Sequence, residues 1–311
     1  MSSLPRLIVI LGPTASGKSE LGIALAEKLG GEILVCDSTQ VYRHFDIGTA
    51  KVPPAEQHGI PHHLIDLVEP FEVFTAGDYA RRATATLEDL RHRKVLPILT
   101  AGTGLYLRAL VDGLAGAPTR SEELRSRLRE RAELRGPNHL HLVLARLDPE
   151  SAGRIARRDT QKIIRALEIR LLARKSVDEI HRAGRAGLQG YGVVKIGLAP
   201  ARAALYAKID QRVQTMIDLG WVDEVRKLIA QGVPSSAKPF QFIGYAQIAA
   251  YLEGKLSLAA AIAQIQQSTR QFSKRQTTWF RKESGVHWLG GFGNDPRVVD
   301  AAIANLIPTA S

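Results

Sequence analysis

The chain has 311 residues, 45% of them hydrophobic and 23% charged, a composition typical of a globular protein with about two domains. Its 42 Lys and Arg residues exceed its 31 Asp and Glu residues, and the net charge of +11 favours a polyanionic partner such as RNA, DNA or an anionic membrane. The single cysteine, Cys36, excludes a disulfide framework and a multi-cysteine zinc site, so we expect no zinc and a cytoplasmic location. The first apolar run, residues 7–11, is too short to cross a membrane, and we expect no membrane partner.

The first third of the chain alternates short apolar strands with helices. Strands are predicted at residues 6–11, 32–36 and 95–100, and helices at residues 19–29 and 75–92. The first strand is closed by Gly12 and the second ends at Asp37. This alternation predicts an α/β fold with a parallel sheet flanked by helices, and its sites should lie at the carboxyl ends of the strands.

From Ser121 onward the sequence becomes helical and dense in charge. Helices are predicted at residues 122–134, 138–147 and 160–173, a returning strand at 193–198, and further helices at 203–219, 221–231, 243–252 and 258–281. The predicted organisation is therefore a core domain of residues 1–118 and 193–311 with an inserted, mostly helical lobe of residues 119–192.

One local pattern is specific enough to predict a binding site. The pattern G-x-x-x-x-G-K-[ST] is satisfied between a strand and a helix by Gly12, Pro13, Thr14, Ala15, Ser16, Gly17, Lys18 and Ser19. Such a loop turns its backbone N–H groups inward, the helix N-terminus adds positive potential, and the lysine adds a charge. Two linked phosphates fit this cradle, and Ser19 would contribute its hydroxyl to Mg²⁺. The fold predicted is accordingly of the P-loop NTPase-like type.

The loop alone does not distinguish ATP, GTP and a prenyl diphosphate. A nucleotide hydrolase normally has an Asp at the end of an apolar strand to organise the metal, and the nearest candidate, Asp66, is a weak one. The sequence therefore favours a transferase with diphosphate as its leaving group.

Asp37, after the second strand, would lie beside the loop, where it could bind Mg²⁺, accept a proton or cap a helix. The adjacent His62 and His63 lack the Cys or carboxylate cluster of a metal site.

Six motifs in fixed order give the chain a resemblance to a known family. They are GPTASGKS at residue 12, DSTQVY at 37, GTAK at 48, PHHLID at 61, GTGLY at 102 and TRQFSKRQTTWFRK at 269. Together they resemble the bacterial tRNA dimethylallyltransferases from about residue 7 to about residue 288. The resemblance implies transfer of a dimethylallyl group from dimethylallyl diphosphate to the exocyclic N6 amine of the adenosine 3′-adjacent to the anticodon in tRNA, with release of diphosphate.

The resemblance also implies roles for individual residues. Asp37 matches the general base, which takes a proton from a weakly nucleophilic adenine amine as the C–N bond forms. Thr103 matches a residue that hydrogen-bonds near the reacting centre, and Arg212 matches an arginine that clamps the diphosphate. Lys18, Mg²⁺ and the loop amides would stabilise the negative charge that develops on the leaving group.

A basic stretch supports an RNA partner. Residues 154–175 hold eight Lys and Arg against Asp159 and Glu168. A charged helix face is often merely solvated, but this excess in one segment favours phosphate contact. The tRNA contacts that the resemblance implies are Asp37, Ser38, Thr39, Gln40, Thr103, Arg125, Gln161, Lys162, Ile163, Ile164, Arg165, Gln241, Phe242, Ile243, Gly244, Tyr245, Ala246, Lys274, Arg275 and Arg281.

Two residues depart from the usual family pattern. Ala101 stands where a glycine is expected, and Gln247 stands where a glutamate is common. Both are mild departures, which bear on loop shape and on one RNA contact.

The alternative functions are a P-loop small-molecule kinase, an adenylate isopentenyltransferase acting on free nucleotides, and a non-catalytic RNA-binding ATPase module. The kinase and the adenylate enzyme leave the basic segments unexplained, and the ATPase module leaves Asp37 without a role.

Overall fold

The computed structural model describes residues 4–114, 118, 120–182 and 187–306. The chain divides into two compact units: a sheet unit of residues 1–111 and 188–311, and a helical unit of residues 112–187. Residues 119 and 183–186 of the predicted lobe lie outside the described residues.

The sheet unit is built on six parallel strands in the order β3-β2-β4-β1-β5-β6. The strands are β1 Arg6–Leu11, β2 Gly31–Cys36, β3 His62–His63, β4 Leu96–Ala101, β5 Gly192–Leu198 and β6 Val286–Leu289. β1 lies in the interior between β4 and β5, and its residues are almost all buried, as expected for a parallel strand covered on both faces. The predicted α/β fold with a P-loop NTPase-like sheet is confirmed.

Helices connect and cover these strands. They are α1 Lys18–Leu29, α2 Ala76–His92, α3 Gly104–Val111, α9 Arg202–Asp218, α10 Trp221–Ala230, α11 Tyr245–Leu252, α12 Leu258–Phe280 and α13 Pro296–Leu306, and the helical unit supplies α4 Glu122–Arg135, α5 Pro137–Leu147, α6 Pro149–Arg154, α7 Thr160–Ala173 and α8 Val177–Arg182. Sequence signals fix several ends: Thr75 and Asp78 form a capping box that starts α2, and Gly30 ends α1 in the left-handed conformation.

The sheet has a separate core on each face because successive side chains of a strand point to opposite sides. Leu7, Val9 and Leu11 of β1 join a large cluster that includes Trp221 and Phe280. Their neighbours Ile8 and Ile10 join a second cluster against α1 and α13, whose members include Leu25 and Val299. The central strand is thus anchored on both faces, which fixes the position of the loop that follows it.

The helical unit has a core of its own. Its buried residues come from four helices and are Leu128, Leu140, Leu144, Ala152, Ile163, Ile164, Ala166 and Leu167. Most of the segments predicted as helices or strands are confirmed to within one or two residues at each end. The strand β6 was not among the predicted elements, which ended with the helix at residues 258–281. That strand has only four residues, partly exposed, so it carries little hydrophobic pattern.

Candidate active site

The phosphate loop lies at the carboxyl end of β1, between Leu11 and the first residue of α1, Lys18. Its backbone requires glycine at Gly17, where φ is 90° and an added Cβ would lie 2.5 Å from the backbone N of Gly293. Gly293 in turn donates its N–H to the Ser16 carbonyl at 2.9 Å. The loop therefore has the strand-to-helix context that distinguishes a phosphate-binding loop from a chance match.

The outer side of the loop is held by residues that the sequence did not single out. Ala15 packs in a small cluster with buried Leu205 and Ile209 and with the partly buried rings of Tyr206 and Phe292. The Gly290–Gly293 region, with the sequence GGFG between β6 and α13, brings Phe292 and Gly293 against the loop. The glycines of this segment are its local sequence signal. Local sequence does not show, however, that the segment packs against the phosphate loop.

Two cations are directed to the space beside the loop. Lys18 donates from Nζ to the Pro13 carbonyl at 2.8 Å, and burial lowers the pKa of Lys18 to about 8, against the opposing effect of Asp37. Burial also lowers the pKa of the Arg212 guanidinium, which Glu20 and Asp37 partly offset. Arg212 also acts to lower the pKa of Lys18, and two desolvated cations beside the loop favour an anion in the space between them.

The main cavity brings together most of the predicted chemical residues. It has a volume of about 80 Å³, and Thr14, Lys18, Ser19, Asp37 and Arg212 are among the residues that line it. Arg212 is 194 positions from Lys18 in sequence, and α9 carries it to this cavity. The structure thus places the loop lysine, the predicted base and the predicted diphosphate clamp around one space.

Asp37 uses its two carboxylate oxygens differently. Oδ1 accepts hydrogen bonds from the Thr39 backbone N–H at 2.8 Å and from the Thr39 hydroxyl at 2.7 Å, so it stabilises the turn after β2. Oδ2 lies against the backbone of Gly102, where an added Cβ would be only 2.5 Å away. The local turn therefore holds the carboxylate through one oxygen and leaves the other beside the cavity wall at Gly102.

Thr103 lies in the turn that follows β4, close to the same carboxylate. The Gly102 and Thr103 N–H groups both donate to the Cys36 carbonyl at 3.0 Å, and the Thr103 hydroxyl accepts from the Ser38 N–H at 2.9 Å. Burial raises the pKa of the Cys36 thiol, so Cys36 is a buried residue of low reactivity.

Thr103 lines a second cavity of about 170 Å³, not the main one. Its walls are mostly apolar and include Phe272, Gln276, Trp279 and Phe280 of α12. Gly102 contributes to both cavities. Among the aromatic side chains of α12, Phe280 is fully buried in the core. Trp279 differs, because it is 38% exposed with the Arg108 guanidinium 4.7 Å from its ring centre.

The residues present fit a magnesium ion held jointly with phosphate oxygens. The Ser19 hydroxyl and the Asp37 carboxylate line the same cavity, and Mg²⁺ prefers few protein oxygens together with phosphates and water. Within the described ranges no group of three His, Cys, Asp or Glu side chains could hold a metal by itself. Asp66, the weak alternative, pairs with Lys51 at 2.5 Å, and His63 contacts Glu32 at 2.7 Å.

The predicted tRNA-binding residues of the helical unit fall into two groups. Gln161 and Lys162 are exposed at the start of α7, whereas Ile163 and Ile164 are buried in the core of this unit. Because a buried side chain cannot reach a partner, only the exposed pair of these four residues has side chains that are accessible to one.

Arg125 and Arg165 converge on a single buried carboxylate, that of Glu168. Arg125 donates to both oxygens, at 2.9 and 2.7 Å, and Arg165 and the Ser121 N–H donate to the same group. Burial acts to raise the pKa of Glu168, but these hydrogen bonds outweigh it and lower the pKa to about 2. In the sequence, Glu168 is only one of two acidic residues in a basic stretch. Its burial could not be predicted, because one buried residue on a charged helix does not change the sequence pattern clearly.

The predicted tRNA-binding residues of the sheet unit are also mixed. Lys274, Arg275 and Arg281 are exposed on or just after α12. In the segment 241–246, Gln241 and Ala246 are exposed but Tyr245 is fully buried. At Gln247 the side-chain oxygen accepts from the Gly244 N–H at 2.7 Å and caps α11, a contact that a glutamate could make as well, so the departure leaves the cap intact.

In the part of the chain that the structure describes, no helix is long and apolar enough to cross a membrane. The sheet is parallel, a glycine-rich loop lies at its carboxyl edge, and a lysine starts the next helix. Together with the two cations that line the adjoining cavity, these features define the class as a P-loop α/β protein. More particularly, the model of the IPP transferase family matches residues 40–283, and the chain belongs to this family of prenyl-transferring enzymes.

Individual relatives agree with this assignment. A tRNA dimethylallyltransferase from Solibacter usitatus is 50% identical over 297 residues, covering 96% of each chain. The full-length tRNA isopentenylpyrophosphate transferase from Bacillus halodurans has a similar structure, with a TM-score of 0.70 and 35% identity over 97% of this chain and 96% of that one. A eukaryotic dimethylallyltransferase acting on tRNA superposes with a TM-score of 0.82 and 28% identity, over 96% of this chain and 78% of the other.

Proposed function

We propose that this protein transfers the dimethylallyl group of dimethylallyl diphosphate to N6 of the adenosine 3′-adjacent to the anticodon in tRNA and releases diphosphate. Membership of the IPP transferase family and the near full-length match to proteins named tRNA dimethylallyltransferase support this activity. The structural observation that carries it is the common cavity of Lys18, Asp37 and Arg212 beside the phosphate loop.

The electrophile is activated by its leaving group. The C–O bond of dimethylallyl diphosphate breaks with both electrons passing to the diphosphate oxygen, and the allylic carbon becomes cationic. Lys18 and Arg212 line the cavity where this negative charge would develop, and positive charges held at fixed positions there would stabilise it strongly. Ser19 would hold Mg²⁺ together with the phosphate oxygens, and the ion would supply further neutralisation of the leaving group.

The acceptor needs a group that takes up a proton. The N6 lone pair is delocalised into the adenine ring, so the amine becomes a competent nucleophile only if its proton leaves as the C–N bond forms. Asp37 Oδ2 is the oxygen for this step, because Oδ1 is already bound to Thr39. Thr103, in the adjoining turn, would orient the acceptor. Reaching N6 requires the adenosine to leave its stack.

RNA binding is assigned to cations of both units, most of them exposed. Lys162 and the Arg125–Glu168–Arg165 group belong to the helical unit, whereas Lys274, Arg275 and Arg281 belong to the sheet unit. These side chains would contact phosphates, which bind Lys and Arg independently of sequence. Gln40 and the exposed members of the 241–246 segment complete the proposed contacts. A tRNA substrate also implies work in the cytoplasm.

The test compares acceptors directly. The protein is incubated with Mg²⁺ and dimethylallyl diphosphate labelled in the prenyl group, with unmodified tRNA, with AMP or without acceptor, and ATP consumption is followed in parallel. We expect label in tRNA at one adenosine only. Label in AMP but not in tRNA would identify an adenylate isopentenyltransferase, and ATP consumption without prenyl transfer would identify a kinase or an ATPase; either result would overturn the proposal.

A further inference from the structure

One buried side chain joins the phosphate loop to the turn beside Asp37. Gln276 on α12 is 6% exposed, and its carboxamide makes two hydrogen bonds in opposite senses. Its Oε1 accepts from the Thr14 backbone N–H at 2.7 Å, and its Nε2 donates to the Gly102 carbonyl at 2.8 Å. The bridge therefore connects two backbone segments that belong to different strands of the sheet.

Each end of this bridge leads to a group with a role in the proposed transfer. Thr14 belongs to the loop that ends at Lys18, and the lysine itself returns to the loop through the Pro13 carbonyl. Gly102 is the backbone against which Asp37 Oδ2 lies. The pairing of β1 with β4 brings the two segments side by side, and the length and hydrogen bonds of this one side chain add a direct link between the leaving-group cradle and the base.

The chemistry of this position is specific to glutamine. A carboxamide accepts through its oxygen and donates through its nitrogen, whereas an ionised glutamate only accepts and a methionine does not donate. Replacement would leave the Thr14 N–H or the Gly102 carbonyl without a partner inside the protein, and a buried orphan group shifts to find one. α12 holds the carboxamide in place through a long helix with Phe280 and Ile265 in the core.

We propose that Gln276 is a positioning residue, which sets the alignment of the acceptor amine and Asp37 with the allylic carbon. The inference rests on the proposed function. When the alignment is correct, N6 forms the C–N bond and its proton passes to Asp37. When it is wrong, the C–O bond still breaks, but water attacks the allylic carbon and gives dimethylallyl alcohol, diphosphate and a proton. The ratio of prenylated tRNA to alcohol therefore measures the alignment.

The experiment uses Gln276→Glu and Gln276→Met, with Gln264→Glu as a matched control on an exposed position of the same helix. Both products are quantified from labelled dimethylallyl diphosphate with Mg²⁺ and saturating tRNA, and tRNA dissociation constants are measured separately. We expect the transfer-to-hydrolysis ratio to fall about tenfold or more in both Gln276 variants, since small misplacements of reacting groups cost up to about 10²-fold in rate. tRNA affinity should stay within about twofold, and Gln264→Glu should match the wild type.

A purely structural role predicts a different result. Fewer folded molecules would reduce prenylated tRNA and alcohol in the same proportion, so an unchanged ratio in both Gln276 variants would overturn the proposal even where total activity falls. A loss of tRNA affinity that accounts for the whole effect would overturn it as well. Failure of the proposed function is recognised separately, because the wild-type protein would then prenylate no tRNA.

Discussion

The sheet unit and the helical unit hold their charged side chains in different ways. In the sheet unit, Lys18, Asp37 and Arg212 come from three separate elements and line one small cavity. The helical unit, residues 112–187, contains seventeen Lys and Arg against eleven Asp and Glu, a net +6 of the chain's +11. Arg157 and Arg158 are exposed there, with no acidic partner among the residues that the structure describes.

Charges in these two settings have different electrostatic effects. Charges in an enclosed cavity act at fixed positions and at a lower effective dielectric, so each one has a large effect on a particular reacting atom. Exposed charges are screened by salt and contribute small, similar amounts to the binding of a polyanion. Substitutions at the cavity of the sheet unit should therefore change the rate of transfer, and substitutions at the charged groups of the helical unit should change affinity for tRNA.

The largest effect is expected at Asp37. Asp37→Asn keeps the shape of the side chain and one oxygen for the Thr39 turn, but it removes the group that accepts the N6 proton. Single-turnover transfer at saturating tRNA should fall about 10²- to 10⁴-fold, the usual contribution of a general base. The tRNA dissociation constant, measured by filter binding, should stay close to that of the wild type. Unchanged turnover would remove Asp37 from the chemistry.

The next effect concerns the pH dependence set by Lys18. Burial lowers the pKa of this lysine to about 8, while Asp37 and Glu20 favour its charged form and Arg212 opposes it. The lysine therefore carries its charge below pH 8 and loses it above pH 8. The kcat/KM for dimethylallyl diphosphate reports the free enzyme and should fall roughly tenfold per pH unit above pH 8. Lys18→Arg is the matched control, and its profile should lose this fall because arginine stays protonated. If kcat/KM falls in the same way above pH 8 in the wild type and in Lys18→Arg, the fall belongs to another group.

The buried carboxylate of the helical unit should affect binding more than rate. Glu168→Gln keeps the size of the side chain but removes the charge that Arg125 and Arg165 share. Because it loses these charge-assisted hydrogen bonds, we expect tRNA affinity to fall roughly tenfold, the equivalent of about 1.4 kcal/mol. Glu150→Gln, at an exposed ion pair of the same unit, serves as control. Full tRNA affinity in Glu168→Gln would show that these arginines need no buried partner.

The smallest effect is expected at exposed cations. Arg157→Gln and Arg158→Gln should each weaken tRNA binding roughly two- to threefold and reduce the salt dependence of binding by about one phosphate contact. The slope of log affinity against log salt concentration measures this directly. A slope identical to that of the wild type would mean that these arginines are merely solvated.

Features that depend on a local pattern of residues could be predicted from the sequence. The phosphate loop, its strand and its helix follow from a continuous run of residues, and the position of Asp37 follows from the end of a buried strand. Gln276 could not be found in this way, because its partners Thr14 and Gly102 lie 262 and 174 positions away. Arg212 was assigned only through the family resemblance, since an arginine within a charged helix carries no local sign that it is buried.

Burial of polar groups was the other property that local pattern did not reveal. Glu168 lies in a stretch that reads as a basic, solvated helix face, yet it is fully buried. Ile163 and Ile164, in contrast, were assigned to RNA contact and are part of the core of the helical unit. Side-chain contacts between distant segments decide these cases, so they require the three-dimensional structure.

The division of work between the two units is tested most directly by single-turnover transfer at saturating tRNA and dimethylallyl diphosphate, with Asp37→Asn and Glu168→Gln measured side by side. Saturation removes differences in affinity and leaves the rate of the chemical step. We predict that Glu168→Gln stays within about twofold of the wild type while Asp37→Asn loses about 10²-fold or more. Similar losses in the two variants, or a larger loss in Glu168→Gln, would contradict the account.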